Sequence, residues 1–287
     1  MSKKLTIGMA AYDDFDGVYF SIQSIRMFHQ EVMDDLEFII IDNNPHSQHG
    51  KECKNFAQSI KTRDQRESLC QYIPVTDRTS TAVRDETFKN SNTPYTLNMD
   101  CHVLIEQGGL KKLIDYYDQN SSTTNLYHGP MYYDALDSNT VVTHMKPEWR
   151  AQMFGTWAHD DRGTDIDNDP FEIPMHGMGL FTCRTEAWAG FNPKFKGFGG
   201  EEGYIHKKFK LRGDQTICLP FLRWLHRFQR PNGVRYVLTM ENKVRNYILG
   251  AIENNEPFEP IIDHFTGEGM PQNTIESMIR DIKGENN

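Results

Sequence analysis

The sequence has no long apolar run and few cysteines. No stretch of about 18 apolar residues occurs, so we expect no membrane-spanning helix. The N-terminal segment MSKKLTIGMAAYD lacks the apolar core of a secretory signal. Five cysteines without a C-x-x-C spacing exclude the common zinc and redox motifs and favour reduced thiols. These absences predict a cytoplasmic protein.

The sequence also has no excess of positive charge. Its 40 acidic residues outnumber 31 basic ones, and the net charge of −9 argues against a broad electrostatic grip on nucleic acid. A small or neutral partner is expected instead. With 287 residues, 38% of them hydrophobic, the chain can form one large domain or two smaller ones with a proper core.

Short apolar runs alternate with segments of helical periodicity in the first hundred residues. Strands are predicted at 5–11, 36–42, 71–75 and from 95, with helices at 19–32 and 81–90. This alternation indicates an α/β fold with a parallel sheet covered by helices. In such sheets the ligand lies outside the carboxyl ends of the strands. The polar residues at those ends, which are therefore the site candidates, are Tyr12, Asp13, Asp42, Asn43, Asp77, Arg78, Asp100 and His102.

The segment YTLNMDCHVLI, residues 95–105, places Asp100 and His102 in an apolar, strand-like run. Residues two apart in a strand share a face, so both side chains are expected to point at one object. A carboxylate with an imidazole is a mixed oxygen and nitrogen set that suits Mn²⁺ or a similar ion. The alternative is that Asp100 caps a turn and His102 packs in the core.

Two later segments add candidate residues. In GFGGEEG, residues 197–203, Glu201 and Glu202 lie where a helix beginning at Glu202 has its positive end, and either is a candidate base or sugar ligand. The alternative is a helix N-terminus with favourably placed acids. In WLHRF, residues 224–228, His226 is a candidate third metal ligand, and Arg227 or Arg230 is a candidate partner for a phosphate.

The remaining sequence shows fewer periodic segments. Residues 120–174 are expected to form an irregular loop region or a lid. Strands are predicted at 177–183 and 217–228, a helix at 239–252 and a polar, frayed tail beyond it.

In this order, the three motifs resemble those of nucleotide-sugar-dependent glycosyltransferases with the GT-A fold. The resemblance is to family 2, the β-1,4-galactosyltransferases and the polypeptide N-acetylgalactosaminyltransferases. These enzymes carry an Asp-x-Asp or Asp-x-His motif, a later Gly-Gly-Glu motif and a further histidine. The corresponding residues here are Met99-Asp100-Cys101-His102, Gly199-Gly200-Glu201-Glu202 and His226.

The resemblance extends into the N-terminal half and implies a donor site. Ala10, Ala11 and Tyr12 correspond to the loop against the nucleotide, and Asp42 to the acid that contacts uracil. Ala82 to Asp85, which includes Arg84, corresponds to an Ala-x-Arg-Asn segment before the metal motif.

The implied fold is a GT-A mixed sheet flanked by helices, in one domain over residues 1–235 with a C-terminal helical extension at 236–287. Residues 1–105 are expected to be the nucleotide-binding half and 106–235 the acceptor half. The implied metal is Mn²⁺ or Mg²⁺, bound by Asp100, His102 and His226, and the implied donor is a UDP-sugar.

The implied reaction transfers the sugar to a hydroxyl acceptor, such as a glycan or a small molecule. Glu202 is the expected base and Glu201 the expected ligand of sugar or acceptor, with inversion favoured over retention. Three alternatives remain: a metal-dependent hydrolase or nucleotidyltransferase, a binding module without turnover, and transfer to a hydroxymethylated base in DNA. The last would use the lysines and arginines of 194–212 and 223–235.

Overall fold

The computed structural model describes residues 3–62, 66–135, 140–230 and 233–284. The strands within these residues are β1 Leu5–Ala11, β2 Leu36–Asp42, β3 Cys70–Pro74, β4 Tyr95–Asp100, β5 Val103–Ile105, β6 Leu126–His128, β7 Met131–Tyr133, β8 Val141–Val142, β9 His144–Arg150, β10 Met153–Ala158, β11 Phe171–Glu172, β12 Leu180–Arg184, β13 Thr216–Cys218 and β14 Trp224–His226. The helices are α1 Phe15–Phe28, α2 Gln48–Ser59, α3 Asp85–Asn90, α4 Gly109–Gln119, α5 Glu202–Leu211, α6 Met240–Glu253, α7 Glu259–Gly267 and α8 Gln272–Lys283. No helix among the described residues is both long and apolar enough to cross a membrane.

The main sheet has the strand order β11-β13-β6-β12-β4-β1-β2-β3. Strands β3, β2, β1 and β4 run parallel, whereas β12 enters antiparallel between β4 and β6. Smaller sheets are formed by β9 with β10 and by β5, β14, β7 and β8. This confirms the predicted α/β fold with a mixed sheet flanked by helices.

The register of the parallel strands aligns their carboxyl ends. Ala10 of β1 lies beside Asp100 of β4, and Ala11 lies beside Asp42 of β2. Both β1 and β2 are buried along almost their whole length, as expected for strands covered on both faces. The polar residues that follow these strands therefore meet at one edge of the sheet.

Strands β1 and β2 and the start of α5 at Glu202 have the predicted bounds. The first helix begins earlier than predicted, because the Asp14 side chain accepts a hydrogen bond from the Gly17 amide and caps it. Helix α2, which the apolar periodicity did not reveal, is capped in the same way by Ser47.

Three predictions for the later sequence are wrong. The strand predicted at 217–228 is instead two short strands, β13 and β14, which belong to different sheets. Residues 120–174 are not simply irregular, since they contain β6 to β11, although 136–139 lie outside the described residues. Several of these strands have only two or three residues, too few to produce a readable alternation. The tail is not frayed either, because α7 and α8 pack apolar side chains against α6; its final residues, 285–287, are not described.

Gly8 in β1 allows α3 to lie close to the sheet. A Cβ atom at Gly8 would lie 2.0 Å from Cγ2 of Thr87, which is fully buried. Thr87 in turn accepts a hydrogen bond from Asn98 of β4 at 2.8 Å. The close approach fixes α3, and the turn before it that carries Arg84, against the two strands that lead to the site.

We therefore expect Gly8→Ala to lower the free energy of unfolding by about 1–3 kcal/mol. The new Cβ would clash with the β-branched side chain of Thr87, which is buried and has no room to move away. Gly267→Ala is the matched control. Its Cβ would meet no heavy atom within 4 Å, so it should be neutral or stabilising. Urea denaturation of both variants measures this, and equal stability of the two would contradict the packing argument.

Candidate functional site

A cavity opens at the carboxyl ends of the central strands. Of the residues expected to bind the donor, Ala10, Ala11, Tyr12, Arg84 and Asp100 line it. The rest of its described lining is Asp14, Asn43, Thr79, Ser80, Thr81, Val83, Cys101, His102, Gly197, Phe198, Arg230, Tyr236 and Val237. The sheet edge, the turn before α3 and two C-terminal segments therefore converge on one space.

Asp42 is placed differently from the other predicted donor ligands. It is 1% exposed and does not belong to the described lining of the cavity. Its carboxylate accepts hydrogen bonds from the Tyr72 hydroxyl at 2.7 Å and the Asn44 amide at 2.9 Å. In this structure its contacts hold the loop after β2, while the adjacent Asn43 faces the cavity.

Asp100, His102 and His226 form a cluster whose ligand atoms lie within 4.8 Å of one another. Nε2 of His226 is 3.4 Å and Nε2 of His102 is 3.9 Å from Oδ2 of Asp100. Strand β4 ends at Asp100, so His102 lies in the following turn rather than on the same strand. Pairing of β14 with β5 places His226 opposite Val103 and so brings it to the cluster.

Asp14 orients His102 and was missed by the sequence analysis. Nδ1 of His102 lies 3.0 Å from the Asp14 carboxylate and, facing an acceptor, donates to it. Burial opposes ionisation of Asp14, but the hydrogen bond and charge of His102, the Gly17 amide and the charge of Arg227 together outweigh it and lower the pKa of Asp14 to about 2. With Nδ1 engaged in this way, the other ring nitrogen of His102, Nε2, faces Asp100, an arrangement typical of metal-binding histidines. The signal available in the sequence was only one more aspartate after β1.

Arg84 connects the metal candidates with the two glutamates. Its guanidinium donates to Oδ1 of Asp100 at 2.8 Å and lies 3.5 Å from Oε1 of Glu201. Burial alone would raise the pKa of Asp100, but the charge of Arg84 and the hydrogen bond from His226 hold it well below its usual range. Asp100 is thus kept ionised.

Glu201 and Glu202 are buried at the N-terminus of α5, with exposures of 1% and 5%. Each has one carboxyl oxygen, Oε2, without a hydrogen-bond partner among the described residues. Burial raises the pKa of both, and the neighbouring carboxyl of Glu201 adds to the effect on Glu202. Glu201 is the one that contacts Arg84, which leaves Glu202 as the more weakly paired acid.

Aromatic and basic residues from the C-terminal part close the cavity. Tyr236 lies between Tyr12 and Phe198, with ring centroids 6.3 and 5.8 Å away. Arg230 lines the same space. Arg227 is not among the lining residues, but it contacts Asp14, which is, at 3.4 Å. Tyr236 was not predicted, because no pattern marks a tyrosine in an irregular segment as a site residue.

The raised pKa of Glu202 predicts a pH-dependent stability difference. The pKa rises from 4.5 to about 8, so the folded state binds the proton more tightly than the unfolded state. The contribution of Glu202 to stability is complete below its pKa in the unfolded state, and it is lost as the pH rises through its pKa in the folded state. We expect the unfolding free energy of the wild type, minus that of Glu202→Gln, to fall between pH 4.5 and about 8.

Urea titrations of the two proteins at several pH values measure this difference. Contributions from Asp100 and the buried histidines are common to both proteins and cancel to first order. A difference that is flat with pH would show that Glu202 titrates normally.

Solved structures with the same fold include those of GalNAc-T7 and of S. aureus TarS. The crystal structure of GalNAc-T7 with UDP, GalNAc and Mn²⁺ matches with a TM-score of 0.67 and 12% identity, over 88% of this chain and 48% of that one. The structure of S. aureus TarS 1-349 in complex with UDP-GlcNAc matches with a TM-score of 0.56 and 10% identity, over 97% and 71%. The chain therefore spans about half the length of the GalNAc-T7 chain. A search of curated protein sequences finds no significant match.

The sequence itself matches the model of glycosyl transferase family 2 over residues 6–188. This region is more than half of the chain and includes β1 to β4, Arg84 and the Asp100-x-His102 motif, while Glu201, Glu202 and His226 follow it. The match and the GT-A fold agree, and the chain belongs to glycosyl transferase family 2.

Proposed function

We propose that the protein is a metal-dependent, inverting glycosyltransferase that transfers a sugar from a UDP-sugar to a hydroxyl acceptor. The observation that carries the proposal is the convergence of Asp100, His102 and His226 beside the cavity at the sheet edge. Support for the donor class comes from two proteins of the same fold, whose structures contain UDP with GalNAc and UDP-GlcNAc.

The residues present fit a divalent first-row ion. Asp100 offers a carboxylate oxygen, and His102 and His226 offer imidazole nitrogens, a donor set that suits Mn²⁺ better than Ca²⁺. The pKa of His226 is lowered, chiefly by burial, which favours the neutral form that binds metals. A bound Mn²⁺ would supply Lewis-acid stabilisation of the departing diphosphate.

Basic residues of the chain itself can also receive the diphosphate. Arg230 lines the cavity and its Nε has no hydrogen-bond partner among the described residues. Positive charge at that point would stabilise the negative charge that develops on UDP as the sugar–phosphate bond breaks. Arg84 is less suited to bind the diphosphate, because its guanidinium already contacts Asp100 and Glu201.

We assign the base to Glu202. In the transfer, the acceptor oxygen forms a bond to the anomeric carbon, the bond from that carbon to the diphosphate breaks, and UDP leaves. The acceptor proton passes to the Glu202 carboxylate, whose raised pKa makes it a better base than an ordinary glutamate near neutral pH. Glu201, held by Arg84, is assigned to bind the sugar or acceptor.

The acceptor we favour is the hydroxyl of a glycan or a small molecule. Part of the basic segment proposed for DNA is neutralised within the fold, since Lys207 pairs with Glu256 and Lys208 with Glu253. Transfer to a nucleic acid would need these charges to face a phosphate backbone.

The metal role predicts that UDP binds more tightly with Mn²⁺ than in chelator. His226→Ala should weaken this Mn²⁺-dependent binding by about tenfold or more, since loss of a ligand costs at least as much as loss of its hydrogen-bonding partner. Calorimetry with UDP, together with the melting temperature in chelator, measures both effects.

The competing interpretation is that His226 is a packing residue beside Trp224 and Phe228. In that case His226→Ala would lower the melting temperature in chelator and leave the Mn²⁺ dependence of UDP binding unchanged. Equal UDP affinity with Mn²⁺ and in chelator for the wild type would reject the metal role altogether.

The base assignment predicts that Glu202→Gln lowers turnover by about 10²- to 10⁴-fold while UDP binding stays near normal. Glu201→Gln is the matched comparison, because it removes the neighbouring charge at the same helix terminus. UDP release from a nucleotide sugar measures turnover. If Glu201→Gln is the more damaging change, the two acids exchange roles.

A further inference from the structure

Asn246 is an unusual residue for its position. It lies in the middle of α6 and is fully buried, although asparagine is a poor helix former and buried amides require partners. Such a local conflict between sequence and structure is typical of a functional position. The residue lies outside the part of the chain that matches the family model.

Both polar atoms of its side chain form hydrogen bonds with the backbone of the glycine-rich segment before Glu201. The Asn246 amide donates to the carbonyl of Lys196 at 2.9 Å and to the carbonyl of Gly199 at 2.8 Å. Its Oδ1 accepts from the amide of Lys196, also at 2.9 Å. Three hydrogen bonds therefore connect one side chain of α6 with residues 196–199.

The glycine-rich segment also packs so closely against α6 that it has no room for side chains at Gly199 and Gly200. Gly199 and Gly200 have φ values of +100° and +91°, which other residues rarely adopt. A Cβ at Gly199 would lie 2.7 Å from the Lys243 side chain, and one at Gly200 would lie 2.8 Å from Cβ of Asn246. The helix thus fixes the path of the backbone that enters Glu201 and Glu202.

We propose that Asn246 is a positioning residue for catalysis, which holds the Gly199-Gly200 backbone so that Glu201 reaches Arg84 and Glu202 faces the reacting groups. This inference rests on the proposed function. It makes α6 part of the active-site architecture rather than an appended extension. Asn246 does not itself line the cavity described above, so it acts on the site through the backbone segment that it holds.

Asn254 provides a control for a purely structural role. It caps the end of the same helix, is 5% exposed and donates to the carbonyl of Tyr204 in α5 at 3.1 Å. Both asparagines therefore connect α6 to the α5 region through buried amides. Only Asn246 contacts the segment before the glutamates.

The test compares Asn246→Ala, Asn246→Ser and Asn254→Ala with the wild type at a temperature where circular dichroism shows all four folded. UDP release from UDP-GlcNAc and UDP-GalNAc with Mn²⁺, with water as acceptor, gives kcat and KM; calorimetry gives the Kd of UDP with Mn²⁺. We expect kcat of Asn246→Ala to fall on the order of 10- to 100-fold, because a small misplacement of catalytic groups is costly.

The kcat of Asn246→Ser, which retains one hydrogen-bond donor, should lie between the kcat values of Asn246→Ala and the wild type. If only catalytic geometry is lost, the Kd of UDP should stay within about twofold of the wild-type value in both variants. Asn254→Ala should lose stability but keep its kcat. The proposal is overturned if the two alanine variants lose kcat equally, or if kcat of Asn246→Ala equals that of the wild type. If the wild type releases UDP from no UDP-sugar in the presence of Mn²⁺, the proposed function is rejected, and this inference with it.

Discussion

The buried guanidinium of Arg84 is the charge on which the arrangement of the site depends. It contacts Asp100 on one side and Glu201 on the other, with only 7% of its side chain exposed. Removal of one partner from a buried ion pair costs about 3–5 kcal/mol, because the other charge is left uncompensated. Without Arg84, the carboxylates of the cluster and of α5 would repel one another at short range. The metal candidates and the candidate base are therefore one electrostatic unit.

The sheet supplies the geometry that this unit needs. Parallel pairing aligns the ends of β1 and β4, and the close packing at Gly8 brings α3 and Arg84 over them. A second, small sheet adds His226 through pairing of β14 with β5. Asp100 and His226 are 126 positions apart in the sequence, yet Oδ2 of Asp100 and Nε2 of His226 lie 3.4 Å apart. Only tertiary structure can create this contact.

The sequence predicted those parts of the molecule that are governed by local patterns. The apolar runs of β1 and β2 and the acids at the start of α5 could be read directly, and so could the Asp100-x-His102 motif. The expectation that Asp100 and His102 share one face of a strand was wrong, because the strand ends at Asp100 and a turn brings His102 to it. Asp14, Tyr236 and Asn246 could not be found, because their roles arise from contacts between distant elements.

The most direct test of the account is UDP release from a panel of nucleotide sugars, followed by mass spectrometry with Mn²⁺ and with chelator. Inversion at the sugar, the identity of the acceptor and the role of Glu202 all presuppose this first step. A metal-dependent, UDP-sugar-dependent transferase should cleave at least one UDP-sugar to UDP, and chelator should abolish the reaction. Release that is equally fast in chelator, or confined to nucleotides other than UDP, would contradict it.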